Sequence, residues 1–138
     1  TAVLGFALDW WSKSAVFEAL GPPSGESGLP PQIYVLIPDW LQFNTALNNG
    51  GVWSLGAHYG LATNTVLTYF CAIASVGILI WAWFAITPGS WLFPVILGAI
   101  LSGAIGNMRD RILFGGVRDF IQFHYKDVWY FPTFNVAD

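Results

Sequence analysis

The C-terminal stretch of this 138-residue chain, GNMRDRILFGGVRDFIQFHYKDVWYFPTFNVAD, gathers Asp110, Asp119, Asp127 and Asp138 beside Asn107, Arg109, Arg111, Arg118 and Asn135. Asp127, next to Lys126, reads as a solvated turn. Asp119 in VRDF and Asp138 in FNVAD stand in apolar settings, where a lone carboxylate is expensive to desolvate. Two carboxyl groups brought together share a proton, because like charges at short range resist ionising together. One then serves as a general base toward water, while the protonated partner polarises a carbonyl and later feeds the leaving amine. That is the proton logic of an aspartic protease. The structural alternative for these two acids is an interfacial helix cap.

Competing chemistries find little support in the residue types. Cys71 lies inside an apolar run and reads as a packing residue. The two histidines, His58 and His124, have no triad partner identifiable from the sequence, and their isolation gives none of the usual zinc-ligand spacings. Elsewhere, Asp9 and Lys13 stand at i, i+4 in the order that favours an ion pair, either at membrane depth or on the surface of an amphipathic helix. Asp110 with Arg109 or Arg111 reads equally as a headgroup anchor, and Asn48 with Gly50 as a tight hairpin turn.

These groups must be positioned by elements of an unusual composition. Hydrophobic residues make up 55% of the chain, aromatic residues 17% and charged residues only 9%, against about 25% charged in a soluble domain. No Asp, Glu, Lys or Arg occurs from Trp40 to Met108, too little charge to cover a soluble surface. The formal net charge of −3 comes with five basic residues and no basic stripe, which argues against nucleic acid as a partner.

Leu61 to Ile86 is long enough to cross a hydrocarbon core of about 30 Å, even from Val66 onward. The break at Thr87, Pro88, Gly89 and Ser90 makes the next apolar run, Trp91 to Met108, an antiparallel neighbour. That run places Gly98, Ser102 and Gly106 on one stripe, which lets another backbone approach closely. Thr1 to Leu20 is a weaker helical segment. GPPSGESGLPP, from Gly21 to Pro31, is a loop outside the hydrocarbon, and Ile33 to Ser54 and Phe120 to Phe134 read as interfacial strands or loops. The basic residues favour a cytoplasmic placement of Arg109 and Arg111, though the 87–90 break carries no charge against which to weigh them.

Four ordered motifs carry a resemblance to a known family. GNMRDRILFGGVRDF followed by FPTFNVAD resembles the paired pattern GN..DR...G.V.DF and F..FN.AD of the lipoprotein signal peptidases (type II signal peptidases). LDWWSK is similar to the family's D..[ST]K, and NNGGVWS to its N.G.[AV][FW]S, so that the likeness runs from Asp9 to Asp138. The resemblance implies an aspartic endopeptidase without metal or organic cofactor. Its substrate would be a prolipoprotein bearing a diacylglyceryl cysteine, cut just before that cysteine.

Carried across by position, Asp119 and Asp138 are implied as the catalytic pair. Asn107, Asp110 and Arg111 are implied as a polar shell, Asn48, Gly50 and Asn135 as the groove lining, and Asp9 and Lys13 as a structural polar pair in the first helix. The implied fold is a four-helix transmembrane bundle, three spans of which are present here, with a small β-cradle and interfacial loops on the outer side. The site then faces the outer leaflet of a bacterial inner membrane, opposite to the placement favoured by the basic residues. The family's FN.AD motif opens a fourth helix and its first helix starts earlier, so residues 1–138 are expected to be one membrane-embedded peptidase domain truncated at both ends. Membrane lipids are the expected surroundings and a monomer the expected state. The rival readings are an ion- or proton-coupled transport subunit, which requires carboxylates midway along spanning helices, and a scaffold without chemistry, which leaves the two acids unexplained.

Overall fold

The computed structural model describes residues 1–23, 32–51, 55–85, 89 and 91–138. Most of the GPPSGESGLPP loop, the VWS of NNGGVWS, Ile86 and the Thr87, Pro88 and Ser90 positions of the break lie outside the described residues. Three long helices and a sheet make up the rest: α1 (Ala2–Leu20), α2 (Leu61–Ala85) and α3 (Leu92–Phe114), with strands β1 (Ile33–Ile37), β2 (Leu41–Asn48), β3 (Val117–Tyr125) and β4 (Trp129–Tyr130). A short 3-10 turn at Ala57–Tyr59 precedes α2.

The helices pack through small residues. Thr1 meets Gly98, Gly5 meets Ser102 and Asp9 meets Gly106, and Lys13 reaches Asp110. Four-residue steps on both helices run in the same sense, so α1 and α3 are parallel. A methyl group on Gly5 would collide with the Ser102 hydroxyl, and one on Gly106 with the Asp9 carboxylate. The small-residue stripe expected of the third apolar run therefore faces α1, bringing the two backbones together as small residues do between membrane helices.

Helix α2 runs the other way. The Asn64 amide, near its start, donates to the Arg111 carbonyl near the end of α3 at 3.2 Å, and Trp81 near its end packs edge-on against Phe93 at 5.3 Å. This is the antiparallel arrangement expected. Pro94 is tolerated in the first turn of α3, where the missing N–H has no helical partner to lose. The helix closes at Gly115, whose φ of 73° suits a residue without a Cβ and whose N–H returns to Arg111 O at 3.2 Å.

Two helices, α2 and α3, are long and apolar enough to cross a membrane. The large side chains of α2 are bare, with Ile73 at 72%, Trp83 at 84% and Phe84 at 80% exposure, and most of those of α3 are exposed, Leu97 and Leu101 being buried. A soluble core helix hides such residues; a helix in lipid presents them. Helix α1 carries Asp9, Lys13 and Glu18 within its 19 residues.

The sheet is antiparallel in the order β1-β2-β3-β4, so the two aromatic-rich segments expected at the interface do supply strands, β3 starting three residues before Phe120. Pro38 and Asp39 (φ 65°) turn β1 into β2. All five residues of β1 are exposed although all are apolar or aromatic. Helix α3 leads through Gly115 and Gly116 directly into β3, which sets the Asp119 carboxylate of VRDF near the end of α3.

Candidate active site

The polar face of α3 organises the site. Gly103, Gly106, Asn107 and Asp110 share one side of that helix by their three- and four-residue spacing. Gly103 leaves room for the returning FNVAD segment, since a methyl group there would strike the Ala137 carbonyl. The segment's Asn135 is 2% exposed and fixed by its own turn, because Ala137 N–H donates to Asn135 Oδ1 at 2.7 Å. With its oxygen occupied, the Asn135 Nδ2 group donates to Asp119 Oδ1 at 2.6 Å and to Asn107 Oδ1 at 3.2 Å. Its backbone N–H donates to Asp138 Oδ2 at 3.0 Å. Two carboxylates 19 positions apart in sequence are thus held by one asparagine.

Asn107 completes the arrangement. Its Oδ1 accepts from Lys13 Nζ at 3.0 Å as well as from Asn135, which leaves its Nδ2 to donate to Asp138 Oδ1 at 2.9 Å. Lys13 therefore does more than the polar pair expected in the first helix: fully buried, it bonds Asp9 Oδ2 at 2.8 Å, lies 3.4 Å from Asp110 Oδ2 and orients the amide that touches Asp138. The sequence showed its spacing to Asp9 but had no rule pairing it with residues 94 and 97 positions away.

Asp119 is 2% exposed whereas Asp138 is exposed. Burial pushes the Asp119 carboxyl up to about 6; the hydrogen bond from Asn135 opposes the rise, the Asp138 charge adds to it, and the Asn48 amide and the Lys13 charge oppose it. A carboxyl so placed retains its proton to a higher pH than an ordinary aspartate, as proton sharing requires.

Asp110 occupies a different environment. It is 1% exposed and receives Arg118 Nη2 at 3.0 Å, Arg118 Nε at 3.3 Å and the Arg118 backbone N–H at 3.2 Å, besides Lys13. Arg109 approaches at 3.6 Å. Arg111, the other partner expected for an anchor, turns instead to the Gly50 carbonyl at 3.1 Å. Arg118 was missed because a helix residue and a strand residue joined by a turn follow no common periodicity.

Asn48 and Gly50 divide between the two readings given to them. Gly50 N–H donates to Asn48 Oδ1 at 2.9 Å and Asn48 Nδ2 to Gly51 O at 3.3 Å, the bonds of a turn. Asn48 also lines a cavity of about 340 Å³ together with Asp119; of the three residues expected to line a groove, Asn48 is the one among its lining residues. Asp127 sits on an exposed turn, accepting the Tyr130 hydroxyl at 3.2 Å.

Apolar helices bare to their surroundings, over whose surface end a small sheet and a returning loop bring two carboxylates together, define an integral membrane protein with an acid–amide site. The profile of the signal peptidase (SPase) II family matches residues 1–138. A lipoprotein signal peptidase of Rhodopirellula baltica is 35% identical over 99% of this chain, and one of Pseudomonas aeruginosa is 35% identical, also over 99%. The chain spans 62% of the length of the first and 75% of the second. A bacterial membrane enzyme solved by the in meso method at 2.3 Å resolution superposes with a TM-score of 0.79 at 25% identity, over 99% of this chain and 75% of that one. The chain belongs to the signal peptidase II family, a family of peptidases, as its four motifs led one to expect.

Proposed function

We propose that this protein is an aspartic endopeptidase that removes the signal peptide from prolipoproteins, with Asp119 and Asp138 as its catalytic pair. The observation that carries this reading is the shared anchor: one asparagine donates to both carboxylates, at 2.6 Å from its side chain and 3.0 Å from its backbone. Amide donors hold the two acids in place without supplying a full positive charge, so a proton can still pass between their states. The lipoprotein signal peptidases similar to this chain bear the activity in their names.

In the proposed reaction, the ionised carboxylate takes a proton from water as the water oxygen attacks the scissile carbonyl. The protonated partner donates a hydrogen bond to the oxygen of that carbonyl. Collapse of the tetrahedral adduct breaks the C–N bond, and a proton from the pair goes to the leaving nitrogen. Asp119, the deeper of the two, is the natural holder of the shared proton; Asp138, exposed and held by Asn107 and Asn135, faces the water. Asn107 and Asn135 orient the pair, Asp110 and Arg111 brace the helix end, and Asn48 forms the cavity wall.

The finer reading follows the family. The cut falls before a cysteine already carrying diacylglycerol, whose acyl chains stay among membrane lipids while the peptide enters beside the sheet. Residues 1–138 act as one membrane-embedded domain, with α1 as a third span of a four-helix bundle: Asp9 and Lys13 neutralise each other against α3, which lowers the cost of membrane depth. The protein is a monomer in the bacterial inner membrane, its site toward the outer leaflet, and it works without metal. The transport reading is less well supported, because the charged groups buried along α1 and α3 are consumed by one another. The test is cleavage of a diacylglyceryl prolipoprotein in the presence of a chelator. Retained activity that Asp119→Asn or Asp138→Asn each abolishes is expected; loss on chelation alone, or substantial cleavage by either variant, would overturn the assignment.

A further inference from the structure

The cavity beside Asp119 has a wall that carboxylate chemistry leaves unused. Residues three apart on a regular strand point to opposite faces, yet Asp119 and Gln122 line the same cavity, with Asn48, Tyr130 and Pro132. A bulge in β3 is the reason. The N–H groups of Phe120 and Ile121 both donate to the Phe134 carbonyl, at 3.0 and 2.8 Å, so two residues of β3 oppose one there; toward β2 the pairing is irregular at the same place, the steps from Phe43 to Ala46 facing those from Ile121 to Asp119. Such an irregularity interrupts the alternation of faces and re-aims a side chain.

The Gln122 amide is also oriented. Gln42 Nε2 and Asn44 Nδ2 both donate to Gln122 Oε1, at 2.8 and 3.2 Å. Gln42 is 6% exposed, so its donor is locked in place. With the oxygen taken twice by β2, the Nε2 end of Gln122 is left without a bond to that strand. It finds no partner among the described residues, and its side chain belongs to the cavity wall. A planar donor in that position calls for an oxygen acceptor. A peptide main chain offers one at every residue whatever its side chains.

Resting on the peptidase reading above, we propose that the Gln122 amide is a substrate-chain subsite, donating to a main-chain carbonyl about three residues from the bond that is cut. Three strand residues separate Asp119 from Gln122, on the order of 10 Å, and three residues of extended substrate cover the same span. The subsite holds the chain and takes no part in proton transfer, so its contribution falls on binding and is equal in ground and transition states.

The test is a thioamide scan of a diacylglyceryl lipopeptide, in which one carbonyl oxygen at a time becomes sulfur, a weaker acceptor. On the wild-type protein, one position two to four residues from the cleaved bond is expected to lose about fivefold in kcat/KM, the size of one neutral hydrogen bond. Gln122→Leu is expected to raise KM about fivefold on the all-oxygen substrate, keep kcat within about twofold, and show no further loss at that position. If Gln122→Leu fails to accumulate, Gln42→Leu, which releases the amide, should shrink the thioamide effect to less than about twofold. An undiminished thioamide effect in the variant, or a fall in kcat at unchanged KM, would overturn the subsite while leaving the peptidase reading intact. A wild-type protein that cleaves no prolipoprotein would sink both.

Discussion

Two buried carboxylates, Asp110 and Asp119, lie nine residues apart in sequence and are 1% and 2% exposed, yet their surroundings differ in kind. Asp110 is surrounded by cations: Lys13 at 3.4 Å, Arg118 at 3.0 Å and Arg109 at 3.6 Å. Asp119 is met by the neutral amide of Asn135 at 2.6 Å. Burial raises the proton affinity of the Asp119 carboxyl, which the Asn135 amide opposes only in part. The same residue type thus joins α1, α3 and β3 through ion pairs in one place, and in the other is the proposed proton carrier. Lys13 lies beside Asp110 and bonds the Asn107 amide that donates to Asp138.

The strongest way to break this comparison is to neutralise each acid. Asp119→Asn should reduce cleavage of a diacylglyceryl prolipoprotein by about 10³-fold or more, and combining it with Asp138→Asn should cost little further, as for residues that act as a unit. Folded yield and substrate capture should be retained, and equal activity in the two proteins would end the proton-carrier role. Asp110→Asn should do the reverse. It leaves Lys13 and Arg118 buried without their shared counter-charge and should destabilise the protein by about 3–5 kcal/mol, read by denaturant unfolding in detergent; a stable Asp110→Asn protein with lost turnover would move Asp110 into the chemistry.

The comparison can be sharpened by pH. Asp119 holds its proton to about 6 when folded and has an ordinary value of 3.8, so the folded state binds more protons between those values and stability falls as pH rises through that window. The stability lost is about 3 kcal/mol, and above pH 6 this contribution is level. Stability measured from pH 3.5 to 7 in wild type and in Asp119→Asn should diverge in this window, and parallel curves would contradict the raised proton affinity. The smallest effect is expected at Asp127→Asn. It weakens one exposed bond from Tyr130 and should change both stability and turnover by less than about 0.5 kcal/mol, which makes it the control for the other acids.

Much of this was open to inspection in the residues. The charge-free run from Trp40 to Met108 required two apolar helices, the short break between them made those helices antiparallel, and the stripe of Gly98, Ser102 and Gly106 marked where a third helix comes close, all because period and side-chain size act locally. Motif order also singled out Asp119 and Asp138, the two acids that Asn135 holds, as the proposed pair. What the chain alone could not disclose were the partners. Asp110 was read against Arg109 and Arg111, its neighbours, but pairs chiefly with Arg118 across a turn and Lys13 from another helix; Gln122 would have been placed on the face away from Asp119 by strand alternation, and a bulge brings both to one cavity. Sequence patterns fix which face of an element is apolar and which acids are costly to bury. Whether a buried acid meets a cation or an amide depends on side chains delivered by elements far apart in the chain, so that only the packing of α1, α3 and the sheet decided that Asp110 meets Lys13 and Arg118 while Asp119 meets Asn135.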